Sequence, residues 1–87
     1  MQMKKAEFCE QVRMYRYQFY IVAHAILKNE ADAQDAVCSA ILKGYEYRGQ
    51  LRNPGKFKAW MIAITRNEAL HIMRKRLELP GDERVPR

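Results

Sequence analysis

Apolar side chains return along residues 4–27 at Phe8, Val12, Tyr15, Phe19, Val22 and Ile26, in steps of four, three, four, three and four. That rhythm lines up one face of a helix, so Lys4 to Leu27 reads as amphipathic α-helix with Arg13, Arg16 and Gln18 outside. Tyr17, Tyr20 and Ile21 broaden the stripe, which points to neighbours on two sides. His24 falls inside the stretch and reads as a boundary residue rather than a ligand.

Lys28-Asn29-Glu30 marks the join to a second helix. Asn29 either takes the left-handed turn that closes the first helix or caps the second. Asp32, three residues on, stands where the acidic member of a capping box belongs and suits the positive end of the helix dipole. Ala33, Ala36, Val37, Ala40, Ile41 and Gly44 then form a buried face, and this helix should run to Tyr45 or Tyr47. Asp32, Gln34, Asp35, Cys38, Ser39 and Lys43 are left facing outward as a polar, partly acidic stripe.

The rhythm stops at RGQLRNPGKFK, residues 48–58. Gly49, Pro54 and Gly55 sit poorly inside a helix, and Asn53 before Pro54 is pushed towards an extended conformation. Arg48, Arg52, Lys56 and Lys58 make this a basic loop. The helical period resumes at Phe57, Trp60, Met61, Ile64, Leu70 and Met73, and Pro80-Gly81 stops it. Trp60 lies mid-stripe and reads as core. Arg74-Lys75-Arg76 falls in the last turns, where cations suit the negative end of the dipole.

No stretch alternates with period two long enough to be a strand. The fold expected is therefore all-α: a small bundle of three main helices, with a short fourth around Tyr45 to Gly49. Residues 1–79 form the domain, and residues 80–87 read as a frayed tail or the start of a linker.

Composition narrows the function. A chain of 87 residues makes one domain at most, with a thin core and no room for a deep substrate cavity. Its net charge of +6 is uneven, with six Lys/Arg against five acids before Gly44 and ten against five from there on. A basic surface of this kind suits a polyanion, nucleic acid first and an anionic membrane second. No apolar run approaches the roughly 18 residues of a membrane span, and MQMKKAEF has no signal core, so a cytoplasmic protein is expected. Cys9 and Cys38 read as reduced thiols, and with His24 and His71 they make no metal spacing. Asp32 and Asp35 share a helix face without a third ligand. There is no phosphate-cradling glycine loop and no nucleophile beside a base, so a binding protein is expected, not an enzyme, with no cofactor and no metal.

The order of the pieces carries a resemblance. Asp32-Ala33-Gln34-Asp35 opens the second helix, Phe57-Lys58-Ala59-Trp60 the third, and Ile64-Thr65-Arg66-Asn67 and Arg74-Lys75-Arg76 follow. Together they resemble region 2 of bacterial RNA polymerase sigma factors, most closely the extracytoplasmic-function (ECF) group, over about Tyr15 to Arg76. The resemblance implies that Asp32, Gln34, Asp35, Cys38, Ser39 and Leu42 face a coiled coil of the polymerase β′ subunit. Complementary charge would speed that encounter and fix its register. Where the family usually carries a Gln-Glu pair, this chain has Cys38-Ser39.

On the DNA side, the resemblance implies that the loop and third helix open the promoter −10 element and hold its non-template strand. Arg48, Arg52, Asn53, Lys56 and Lys58 would supply charge and amide donors to an unstacked strand. Asn67, His71, Arg74 and Lys75 would meet the upstream duplex, Asn67 at a base edge and the two cations at phosphates. The paired aromatic residues that wedge the duplex in principal sigma factors are replaced by Ala63 and Ile64. The partners implied are core RNA polymerase, promoter DNA and an anti-sigma factor, with the chemistry of RNA synthesis left to the polymerase.

Two other readings stand beside this one. A sigma-like module could bind an anti-sigma factor or other regulator without initiating transcription, and Cys38-Ser39 is the feature that favours it. A membrane-surface role for the third helix is opposed by its broken Lys/Arg stripe, which Glu68 interrupts. ECF sigma factors carry a second, linked helical domain for the −35 element. No helix-turn-helix follows Pro80, so one domain of a longer protein, or a fragment, is expected.

Overall fold

The computed structural model describes residues 3–78. They form three α-helices, α1 (Lys5–Leu27), α2 (Glu30–Glu46) and α3 (Phe57–Glu78), joined by a two-residue turn and by a longer connection. Among the described residues there is no strand. The fourth helix expected around Tyr45 to Gly49 is reduced to a single 3-10 turn at Arg48–Gln50, and a second follows at Pro54–Lys56. The helix stop at Pro80-Gly81 and the tail 80–87 lie outside the described residues.

The α1–α2 turn settles the alternatives left open for Asn29. Lys28 takes the left-handed position (φ 57°), its N–H donating to the His24 carbonyl at 2.8 Å. Asn29 is extended and its side-chain oxygen accepts from the Asp32 N–H at 2.8 Å, which caps α2. Only this half of the capping box forms. The Asp32 carboxylate turns to α3 instead, where it meets Arg76.

A turn this short forces α2 to run back along α1. Tyr45 and Phe57 both stack edge-on against Phe8, with ring centroids 5.4 and 5.6 Å away, so the end of α2 and the start of α3 meet at the start of α1. The bundle is thus up-down-up, with α1 and α3 parallel. Its large buried side chains, Phe8, Phe19, Leu27, Phe57 and Met61, come from α1 and α3. The face offered by α2 is Ala33, Ala36, Val37, Ala40 and Gly44, small enough to bring its backbone close. A Cβ at Gly44 would stand 2.4 Å from Met61 Sδ, so any larger residue there must displace the Met61 side chain.

The α2 face therefore matches its sequence pattern, apart from Ile41, which is half-buried. Along α1 the buried face is turned from the expected one. Ala23 and Leu27 are fully enclosed, while Tyr15, Val22 and Ile26 are half-buried. Gln18, expected outside, is half-buried too, and Tyr17 and Ile21, expected to touch neighbours, are 72% and 48% exposed. Tyr17 borders an open groove beside α2 rather than packing into it, and Ile21 stays largely outside the core. On α3, Trp60 is half-buried against Phe57, and Thr65 is buried because its hydroxyl donates to the Met61 carbonyl at 2.8 Å.

Candidate polymerase and nucleic-acid interface

The basic connection is an ordered element held by Arg48. The Arg48 guanidinium donates from Nε to the Met3 carbonyl at 2.8 Å and from NH1 to the Tyr45 carbonyl at 2.7 Å. It also lies 3.8 Å from the Tyr45 ring centroid. Leu51 plugs the connection into the core. Of the residues expected to bind DNA here, Arg48 is thus turned inward as a strap. Arg52, Asn53, Lys56 and Lys58 remain exposed. Asn53 is extended, as its place before Pro54 requires, and its side-chain oxygen accepts from the Gly55 N–H at 2.9 Å. That orients the amide and leaves its N–H donors pointing elsewhere. Lys58 Nζ stands 5.7 Å from the Tyr15 ring, close to α1.

On α3, Asn67, His71, Arg74 and Lys75 are all exposed, and the first three follow at steps of four and three, so they share one outer face. Arg76, their neighbour, is on the opposite side. Its guanidinium bonds the Asp32 carboxylate and reaches the Leu27 carbonyl at 3.5 Å. Glu68 also faces inward, only 14% exposed, with its carboxylate 2.9 Å from Lys43 Nζ. It does not interrupt the outer face, contrary to the sequence reading. Glu68 raises the Lys43 pKa above its usual value, first through this hydrogen bond and then through its charge.

The stripe expected on α2 divides. Asp35, Cys38, Ser39 and Leu42 are exposed together, with Leu42 at 72%. Gln34 is exposed but lines a groove of about 490 Å³ between α1 and α2, together with Arg13, Arg16, Tyr17, Tyr20 and Val37. Asp32 and Lys43, expected to face outward, are drawn to Arg76 and Glu68 on α3. What remains outside on α2 has no unpaired cation, and what remains outside on α3 and the connection is mostly basic.

The sigma-70 region 2 family matches residues 11–77 of this chain. The chain belongs to that family. It is also similar to the RNA polymerase sigma factor SigV of Bacillus subtilis (strain 168), at 30% identity over 73 residues, which cover 82% of this chain and 44% of the relative. The chain spans less than half the length of that relative. No solved structure matches it.

For a region 2 domain, the inward aim of Arg48, Asp32 and Arg76 has a signal in the sequence. Arg48 follows Ala40 and Gly44 in steps of four, Asp32 precedes Ala36 by four, and Arg76 lies seven beyond Ala69. All three prolong a buried row past the end of its apolar residues. Counting only apolar residues as the buried face leaves Asp32 outside, and the basic composition of residues 48–58 leaves Arg48 there. Arg66 is a further exposed cation on α3 that the sequence reading did not single out.

Proposed function

We infer that this chain is the promoter-recognition domain of an ECF-like RNA polymerase sigma factor. In this reading the outer face of α2, with Asp35, Cys38, Ser39 and Leu42, docks on core polymerase. Arg52, Asn53, Lys56 and Lys58 hold the non-template strand of the −10 element. Asn67, His71, Arg74 and Lys75 meet the duplex upstream. The domain acts as a binding subunit in the cytoplasm and contributes no catalytic group.

The observation that carries the reading is the sorting of charge between the two outer faces. Exposed Arg52, Lys56, Arg74 and Lys75 take no ion pair among the described residues, so their charge is available to phosphates. The exposed face of α2 offers acid, thiol, hydroxyl and an aliphatic side chain instead, which repels DNA and suits a protein partner with a basic, partly apolar surface. Cys38-Ser39 stands where the family usually has Gln-Glu, and Leu42 one turn on supplies an apolar centre, so contact there would lean on burial more than on charge.

Capture on immobilised core polymerase, run beside binding to −10-like single strands, tests the division. Leu42→Asp should abolish core capture and leave strand binding intact, while Lys56→Ala should weaken strand binding alone. Loss of both by either variant would contradict two separate faces. Strand binding without any core capture would favour the regulator-binding module.

A further inference from the structure

Arg74 and Lys75 stand on a helical turn that lacks an apolar anchor. Arg74, Lys75, Arg76 and Leu77 are all exposed, and the half-buried residues before them are Ile72 and Met73. Among the described residues, the polar ties from this turn to the rest of the bundle both come from Arg76. One goes to the Asp32 carboxylate in the first turn of α2, the other to the Leu27 carbonyl at the end of α1. The side chains of the ion pair are 46% and 29% exposed, so the contact can be broken without unfolding the core.

We propose that Arg76 is a positioning residue, which uses Asp32 to hold the last turn of α3 in the register that presents Arg74 and Lys75 to a DNA backbone. The proposal rests on the reading of α3 as a DNA-contacting helix. It assigns Asp32 to the DNA side of the molecule, through α3, and not to the outer stripe of α2. It also has an unusual sign. Removing an acid from a DNA-binding protein ordinarily tightens binding, because the net positive field grows. Removing this acid should weaken it, because two phosphate contacts lose their support.

The test is the affinity of the full chain for a −10-like fork-junction DNA, measured well below the thermal midpoint so that every variant is folded. Asp32→Asn keeps the shape of the side chain, and the Asn29 cap needs only the backbone N–H of residue 32. It should weaken binding about threefold, the factor that an exposed ion pair supports. Glu30→Gln neutralises an exposed acid in the same turn of α2, one that takes no ion pair with α3 among the described residues, and should leave affinity unchanged or slightly higher. Arg74→Ala should cost less in the Asp32→Asn background than alone, as expected when one residue acts through another. Asp32→Asn binding as tightly as Glu30→Gln, or additive losses with Arg74→Ala, would overturn the positioning role. Wild-type chain that binds no fork DNA would remove the proposed DNA function, and this inference with it.

Discussion

The connection between α2 and α3 and the last turn of α3 are both basic, and both keep one arginine turned inward beside cations turned outward. Arg48 is fastened by two backbone carbonyls and an aromatic face, and it is half-buried. Arg76 is fastened by a carboxylate and one long carbonyl contact on a turn that is otherwise exposed. The difference teaches that a run of arginines is not a uniform positive patch. In each case one member builds the platform and the others are left to a ligand. The connection has the stronger platform, so its free cations are the better fixed.

Arg48→Ala tests the comparison most severely. Two charge-assisted bonds and a cation–π contact, partly exposed to water, should cost about 2–3 kcal/mol in chemical denaturation. Arg48→Lys should recover little of it, since a point charge cannot span two carbonyls as a planar fork does. An Arg48→Ala protein of unchanged stability would make the connection no firmer than the end of α3.

At the same end of the bundle, Gly44→Ala sharpens the reason that α2 lies close enough for Arg48 to reach. The added methyl meets Met61 Sδ, and overpacking should outweigh the gain in helix propensity, for a net loss of about 1 kcal/mol. Thermal unfolding would show it, and a stabilised variant would mean that Met61 moves aside without cost. At the other end, Arg76→Gln should lower stability by no more than about 1 kcal/mol, as half-exposed pairs do. A loss equal to that of Arg48→Ala would erase the contrast.

The Lys43–Glu68 tie is a third inward-turned cation and the smallest effect. Its raised lysine pKa means that its contribution is fully present below the usual lysine value of 10.5 and disappears as pH rises through the higher folded value. Stability of the wild type should therefore fall more steeply than that of Lys43→Gln above about pH 10.5. Parallel curves would show that the pair does not tie α2 to α3 in solution.

Much of this was legible in the sequence, and the gaps have one physical cause. Helical rhythm located α1 to within a residue and picked out Ala33, Ala36, Val37, Ala40 and Gly44 as the buried face of α2. It also grouped Asn67, His71, Arg74 and Lys75 on the outside of α3, where all four are exposed. The misplacements are charged residues beside or at the ends of buried rows: Arg48 and Asp32 at row ends, Lys43 and Glu68 along the α2–α3 seam. Their stems follow the core face while their heads reach partners far along the chain, and a pattern read one helix at a time does not contain the partner. The rotation of α1 towards Ala23 and Leu27 is of the same kind, set by where two other helices lean.

The most direct measurement is the binding of the full chain to short −10-like single strands across a salt series, with scrambled strands beside them, for wild type and Lys56→Ala. The expected result is a preference for one sequence and a salt slope about 0.7 shallower in the variant, the loss of one phosphate contact on single-stranded DNA. Equal binding to every strand, or an unchanged slope, would contradict promoter-strand capture by the connection.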